Sequence, residues 1–183
     1  MLPLAFKLNG KRVVVIGAGR VAGAKIELLV EAGADVLVIS PEVLVELPES
    51  VSLVQREYRA GDLAGADLVI AAVGIASVNE VIVAEAREQR VWLNVVDNPA
   101  LCDFFFTAVH RDGPVTVSVS SEGSSPALAK YVRDLVARLL PQNLAAVAET
   151  LRVERLTHQA SGLSTESRDW SRRVAELVDE TAL

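Results

Sequence analysis

Sulfur, histidine and aromatic residues are scarce in this chain, and each scarcity excludes something. Cys102 is the only cysteine among 183 residues, so neither an intrachain disulfide framework nor a cysteine-cluster metal site can form. The two histidines, His110 and His158, lie far apart without ligand-like neighbours in sequence, and no metal site is expected. No apolar run reaches the length of about 18 residues that spans a bilayer, and Met1–Lys7 lacks the layout of a signal peptide, so a soluble cytoplasmic protein is the expectation. A net charge of −6 weighs against general binding to nucleic acid or to an anionic membrane. It does not weigh against a local basic pocket for an anionic substrate. The Tyr-x-x-x-Lys pair of short-chain dehydrogenases is missing: Asp62 follows Tyr58 at that spacing, and Leu135 follows Tyr131. Neither a Gly-x-Ser-x-Gly elbow nor a His-Glu-x-x-His helix is found.

The chain is 51% hydrophobic and rich in Val, Ala and Leu, enough for a sizeable core in one domain, or one with a small appendage. The densest signal is Arg12–Lys25. The apolar run Val13–Ile16 leads directly into Gly17-Ala18-Gly19-Arg20-Val21-Ala22, and a helical pattern follows. A buried parallel strand reads as such a run, and between strand and helix the Gly-x-Gly-x-x-Gly/Ala pattern is a dinucleotide fingerprint. Gly17 permits the tight turn, Gly19 lets the pyrophosphate approach the backbone, and Ala22 is small enough for the helix to pack on the strand. The helix start then offers unpaired N–H groups to the phosphates.

Strands are expected at 35–40, 51–55, 67–73 and 91–96. Helices are expected after Gly19, with Ile26, Leu28, Leu29 and Val30 as the apolar face and Gly33 as the stop, and over 78–90. Strands alternating with helices imply a parallel α/β sheet, with expected order 3-2-1-4-5. After Asp97 the pattern changes to two strands, 104–111 and 115–121, turned at Asp112-Gly113. Ser124-Ser125-Pro126 opens a helix, and residues from Pro141 onward read as helical with a break at 161–164. The expected organisation is a Rossmann-like nucleotide domain over 1–112, a hairpin-plus-helix segment over 113–141, and a helical segment over 142–183.

The acid that commonly holds the adenosine ribose is missing from the end of the second strand, where Ser40-Pro41 stands with Glu42 just beyond. Ser40 can still bond a ribose hydroxyl. Glu42 would repel a 2′-phosphate, and no Arg follows to welcome one, so NAD is favoured over NADP. Asp97 ends the fifth strand, where open α/β sheets bind ligands. It reads equally as a general base near apolar Val95 and Val96, or as the cap of an Asp97-Asn98-Pro99 turn. Asp103 reads as a turn or cap residue. The run Ser120–Pro126 offers either an anion seat or an ordinary serine cap. Lys130 and Arg133 share a helix face with the character of a solvated one; Arg138 lies further along. Cys102 reads as a small buried residue.

Three motifs then lie in one order: Gly17-Ala-Gly-Arg-Val-Ala-x-x-Lys25, Leu93-Asn-Val-Val-Asp-Asn-Pro-x-Leu-Cys-Asp-Phe104, and Val119-Ser-Ser-Glu-Gly-Ser-Ser-Pro-Ala-Leu-Ala-Lys130. Together they resemble the precorrin-2 dehydrogenase/sirohydrochlorin ferrochelatase family, which includes the N-terminal part of siroheme synthases. The resemblance covers about residues 3–145. It implies NAD-dependent oxidation of precorrin-2 to sirohydrochlorin, with Fe²⁺ insertion as a second activity that the short tail leaves open. It implies NAD at Gly17, Gly19, Arg20, Val21, Pro41 and Glu42, Asp97 as the catalytic aspartate, and Ser121 lining the tetrapyrrole cleft. A tetrapyrrole rich in carboxylates needs cations and N–H donors, for which Arg111, Lys130, Arg133 and the serine loop with Ser124 are the candidates. It also implies a homodimer in which the segment after Asp97 exchanges contacts between subunits. Phe104–Phe106 and the alternating strand Val115–Val119 are too hydrophobic for a free hairpin, which is marginal alone, and are expected to be buried across a two-fold interface. Ala18 and Ala24 stand where the family often has Gly and Arg, and Thr107 replaces a frequent Pro. Two other readings stay open: an NAD-sensing domain without turnover, and a dimerising scaffold with a vestigial glycine loop.

Overall fold

A computed structural model of the chain describes residues 1–180, so the last three residues of the expected helical segment lie outside the described part. The described chain forms two compact units, one ending at Phe105 and the other beginning at Phe106.

The first unit is a five-stranded parallel sheet in the order β3-β2-β1-β4-β5, as the alternation of strand and helix patterns predicts. Its strands are β1 (Arg12–Ala18), β2 (Asp35–Val43), β3 (Ser52–Val54), β4 (Leu68–Ala71) and β5 (Trp92–Val95). Val13, Val14 and Val15 are all fully buried. Successive side chains point to opposite faces of a strand, so both faces of β1 must be covered. Helix α1 (Arg20–Glu31) packs on β1 and β2, and α2 (Ala76–Gln89) on β4 and β5. Val14, Ile16, Val69 and Leu93 form one core with Ile82 and Ala86 of α2.

Two details differ from the sequence expectation. The sheet-facing side of α1 is Ala22, Gly23, Ile26 and Leu29, while Leu28 is about half exposed. At 3.6 residues per turn, Leu28 falls on the far side of the helix from that face. Strand β2 also runs on to Val43, because Ala18 pairs with Val43 after a register shift at Gly17. Backbone bonding there continues past Ser40-Pro41, a point where local turn signals predict an end.

A buried carboxylate fastens the segment between β3 and β4. Glu85 of α2 accepts hydrogen bonds from the backbone N–H groups of Gly61 (3.0 Å) and Leu63 (3.1 Å), from Gln89 (2.8 Å) and from the Tyr58 hydroxyl. Burial, and then the bond to Glu85, push the Tyr58 hydroxyl's pKa well above the usual phenol range.

The second unit contains an antiparallel hairpin, β6 (Ala108–Asp112) and β7 (Val115–Val119), and helices α3 (Pro126–Leu139), α4 (Leu144–Ala160) and α5 (Trp170–Glu180). Strand β6 starts at Ala108; Phe104–Phe106, which the apolar pattern assigns to it, precede the strand and are half-buried. Asp112 pairs with Val115, so the turn residues are Gly113-Pro114, with Gly113 at φ 54°. Asp112 instead uses its carboxylate to accept the Ala145 N–H at the start of α4, at 3.2 Å. Ser125 caps α3 as its position before Pro126 predicts, accepting the Leu128 N–H at 3.2 Å. The expected break at 161–164 separates α4 from α5. Glu154 of α4 bridges it by ion pairs to Arg168 and to Arg173 of α5, each at 2.8 Å.

Candidate functional site

The carboxyl edge of the parallel sheet collects the first group of candidate residues. Gly17 sits in the left-handed region (φ 101°) where β1 passes into the loop, and its missing side chain leaves room for the Ala72 backbone. Gly19 is the N-cap of α1 and offers no side-chain hydrogen bond to the helix. A Cβ built on Gly19 meets no atom within 4 Å. The helix start is therefore an open cradle of backbone donors, the environment a pyrophosphate requires. Arg20 and Val21 follow it and are exposed. Beside Ala22, Gly23 also lets the helix approach closely: its Cβ would lie 3.1 Å from Val45. Sequence reading assigns that role to Ala22 alone, because Gly23 falls just outside the fingerprint spacing.

At the end of β2, Ser40 is buried and donates its hydroxyl proton to the Glu42 carbonyl at 2.6 Å. Ser40 thus braces the last residues of β2, among them Pro41 and Glu42, both exposed.

Asp97 follows β5, two strands across from β1 and about 10 Å away by strand spacing. It is exposed and held in the left-handed backbone region at φ 61°. Its neighbour's N–H closes the turn, Asn98 to the Val95 carbonyl at 3.2 Å. No hydrogen bond reaches the Asp97 carboxylate among the described residues, so the turn does not use its side chain as a cap. Asp103 contrasts with it. One Asp103 oxygen accepts the Leu93 N–H at 2.9 Å and the other pairs with Arg87 of α2, which makes it a fastener of β5. Cys102 is half-buried, with its sulfur between the Val95 N–H and carbonyl, each at 3.2 Å. Burial pushes the Cys102 thiol's pKa up, against the Val95 hydrogen bond and the Lys25 charge, so it is not a reactive thiolate.

Lys25 is a residue that the sequence reading places in a motif without giving it a role. It is half-buried on α1. Burial lowers the pKa of its ammonium, opposed by the charges of Cys102 and Asp97. Its only sequence signal is its place six residues beyond Gly19.

The second unit holds the remaining candidates. Ser121 is knotted into its own loop: its hydroxyl donates to the Ser125 carbonyl at 2.9 Å and accepts the Ser125 N–H at 3.1 Å. Glu122 (φ 53°) and Gly123 (φ 80°) make the left-handed bend that leads to exposed Ser124. Arg111 of β6 and Lys130 of α3 are exposed and make no hydrogen bond or ion pair among the described residues. Arg133 is committed to the fold, donating to the Val109 carbonyl at 3.2 Å and pairing with Asp134 at 2.6 Å. Among the described residues no group of three or more His, Cys, Asp or Glu side chains could hold a metal ion, and no helix is long and apolar enough to cross a membrane.

Comparison with known proteins agrees with this division. Residues 4–108 match the family described as "Putative NAD(P)-binding", and residues 112–139 match "Sirohaem biosynthesis protein central". A siroheme synthase of Ectopseudomonas mendocina is 42% identical over 150 residues, covering 80% of this chain and 32% of the relative. Siroheme synthase 3 of Aeromonas hydrophila is 36% identical over 179 residues, covering 93% and 38%. A siroheme synthase of Nitrosospira multiformis is 38% identical over 193 residues, covering 97% and 41%. The chain thus spans about two fifths or less of the curated relatives it matches. The solved structure of "SirC, precorrin-2 dehydrogenase" superposes with a TM-score of 0.77 at 20% identity, covering 98% of this chain and 88% of that one, which establishes a shared fold.

Proposed function

We propose, from the premise that this chain belongs to the putative NAD(P)-binding family, that it oxidises precorrin-2 to sirohydrochlorin with NAD as hydride acceptor. The observation that carries the proposal is a pairing on one sheet edge. An exposed carboxylate without hydrogen bonds, Asp97, stands two strands from an uncapped, glycine-lined helix start.

The residues of the chain divide the work as follows. The open N-terminus of α1 and the backbone of Gly17 and Gly19 seat the pyrophosphate, flanked by Arg20 and Val21. Ser40, Pro41 and Glu42 form the wall at the adenosine ribose, and the Glu42 carboxylate disfavours a 2′-phosphate. A bound NAD, held by these residues, would supply the hydride acceptor for the macrocycle. Asp97 takes the accompanying proton, so the substrate loses two electrons and two protons in all. The exposed backbone turn that carries Asp97 lets its carboxylate meet a substrate without first breaking an internal bond. Arg111, Lys130 and the Ser121–Ser124 loop supply cations and donors for the substrate's carboxylates.

The siroheme synthase relatives support this substrate class. Insertion of Fe²⁺ into the product would ask the same carboxylate to help remove the pyrrole protons. The functional division that accompanies this reading is nucleotide binding over 1–112, dimer formation over 113–141 and a helical segment beyond. A homodimer is favoured by α3, whose Leu128, Tyr131, Leu135 and Leu139 form an exposed apolar stripe at helical spacing.

Incubation with precorrin-2 and NAD, with and without Fe²⁺, followed by absorbance, tests the assignment. Asp97→Asn should keep NAD binding and lose about 10²–10⁴-fold in turnover, the usual worth of a positioned general base. Near-wild-type turnover by Asp97→Asn would remove Asp97 from the mechanism. NAD binding with no turnover by the unmodified chain would favour the sensor reading instead.

A further inference from the structure

We propose that Asn79 is a positioning residue for the cofactor: by holding the Val73 carbonyl it sets the loop 72–75 as the wall of the site on the nicotinamide side. The inference rests on the reading of Gly17, Gly19 and Glu42 as the NAD seat and deepens it.

The sheet order decides which way the dinucleotide runs. Strand β1 lies between β2 and β4. With the pyrophosphate at the start of α1 and the adenosine ribose at the end of β2, the second nucleoside falls on the other side, over the end of β4. Strand β4 in turn lies between β1 and β5, so the residues that follow it stand between the glycine loop and the turn that carries Asp97. Backbone bonds tie them to both. The Ala72 N–H donates to the Ile16 carbonyl at 2.8 Å, and the Val96 N–H donates to the Ala71 carbonyl at 2.9 Å. A nicotinamide that bridges the pyrophosphate seat and a substrate at Asp97 therefore lies against this loop.

The loop has an open outer surface. Gly74 is exposed, its backbone is not in the left-handed region, and a Cβ built on it meets no atom within 4 Å. Neither the backbone angle nor the packing demands a glycine there, whereas a ring seated on the backbone does. Ile75 beside it is 58% exposed, an apolar side chain available to a ring.

Asn79, the fourth residue of α2, holds the inner side. Its Nδ2 donates to the Val73 carbonyl at 2.9 Å, while the Val73 side chain packs against the core. A carbonyl only accepts, so the amide nitrogen has to face it. That leaves the Asn79 Oδ1 buried without a hydrogen-bond partner among the described residues. A buried, unpaired acceptor costs free energy, and an apolar side chain of the same size would avoid the cost. What such a side chain could not supply is the donor that fixes Val73.

Titration with NAD and with ADP-ribose, which lacks only the nicotinamide, tests the proposal without any turnover. Asn79→Leu keeps the size and removes the donor. It should weaken NAD about three- to tenfold, the worth of one hydrogen bond, and leave ADP-ribose binding unchanged. Gly74→Val tests the loop independently of Asn79, because its added Cβ meets nothing in the fold; it too should weaken NAD and spare ADP-ribose. Equal weakening of both ligands by Asn79→Leu, or loss of its fold, would make the residue structural and overturn the proposal. So would unmodified NAD affinity in either variant. Failure of the proposed reaction would show separately, as no turnover of precorrin-2 by the unmodified protein with the contrast between NAD and ADP-ribose intact.

Discussion

A Cβ added to Gly17 would lie 2.5 Å from the backbone carbonyl oxygen of Ala72. The Ala72 N–H at the same place donates to the Ile16 carbonyl at 2.8 Å, locking β1 to the end of β4. The first fingerprint glycine is thus required by the sheet itself, not only by a ligand. With φ at 101°, Gly17→Ala should be destabilised by more than about 1 kcal/mol, since both the backbone angle and the contact are unfavourable. Thermal or urea unfolding without any nucleotide checks this, and a stability equal to that of the unmodified protein would refute it.

Gly19 behaves in the opposite way, because its added Cβ meets nothing. Gly19→Val should therefore fold with near-normal stability and lose NAD binding, by filling the approach of the pyrophosphate. Titration should also show weaker binding of NADP than of NAD, owing to the exposed carboxylate of Glu42. Equal or tighter binding of NADP would overturn the cofactor preference.

Asp62 should make stability depend on pH at the acid end. Both its oxygens are bonded by Arg56 at 2.7 Å, and one also accepts the Arg59 N–H at 2.8 Å. The bond from Arg56 holds the Asp62 carboxyl below the usual carboxylate range, with burial opposing it. A pKa lower in the folded than in the unfolded chain stabilises at pH values above the unfolded value, about 4, and the effect is lost as pH falls through the folded value. The Tm difference between the unmodified protein and Asp62→Asn should be full near about pH 7 and shrink below about pH 4. A difference that stays constant down to about pH 3 would contradict this.

Assembly should depend on the α3 stripe. Leu135 and Leu139 are 41% and 77% exposed, so a charge at either position should leave the protomer folded while disfavouring burial against a second copy. Light scattering should give a dimer for the unmodified protein and a monomer for Leu135→Glu. A monomeric unmodified protein at micromolar concentration would refute the dimer.

The order of strands and helices, the glycine loop, the Ser125 cap and the break before α5 were all legible in the sequence. Each is a local matter: a run of Val and Ile buried on both faces, a glycine spacing, a serine before a proline. These patterns act within a few residues, and tertiary contacts here reinforce them. Where contacts between distant segments decide, the sequence was silent or misleading. Leu28 carries the same apolar signal as Leu29, but only the rotation of α1 on the sheet tells which is buried. Asp112 looked like a turn residue until pairing with Val115 moved the turn on to Gly113-Pro114 and left its carboxylate to start α4. The sequence leaves Asp97 equally a base or a turn cap, and Asp103 reads as a turn or cap residue. Only the arrival of Arg87 and the Leu93 N–H occupies Asp103, and leaves Asp97 as the one of the two without a hydrogen bond among the described residues. Propensity and periodicity are written into neighbouring residues, whereas the pairing of a charge depends on which distant element the fold sets beside it.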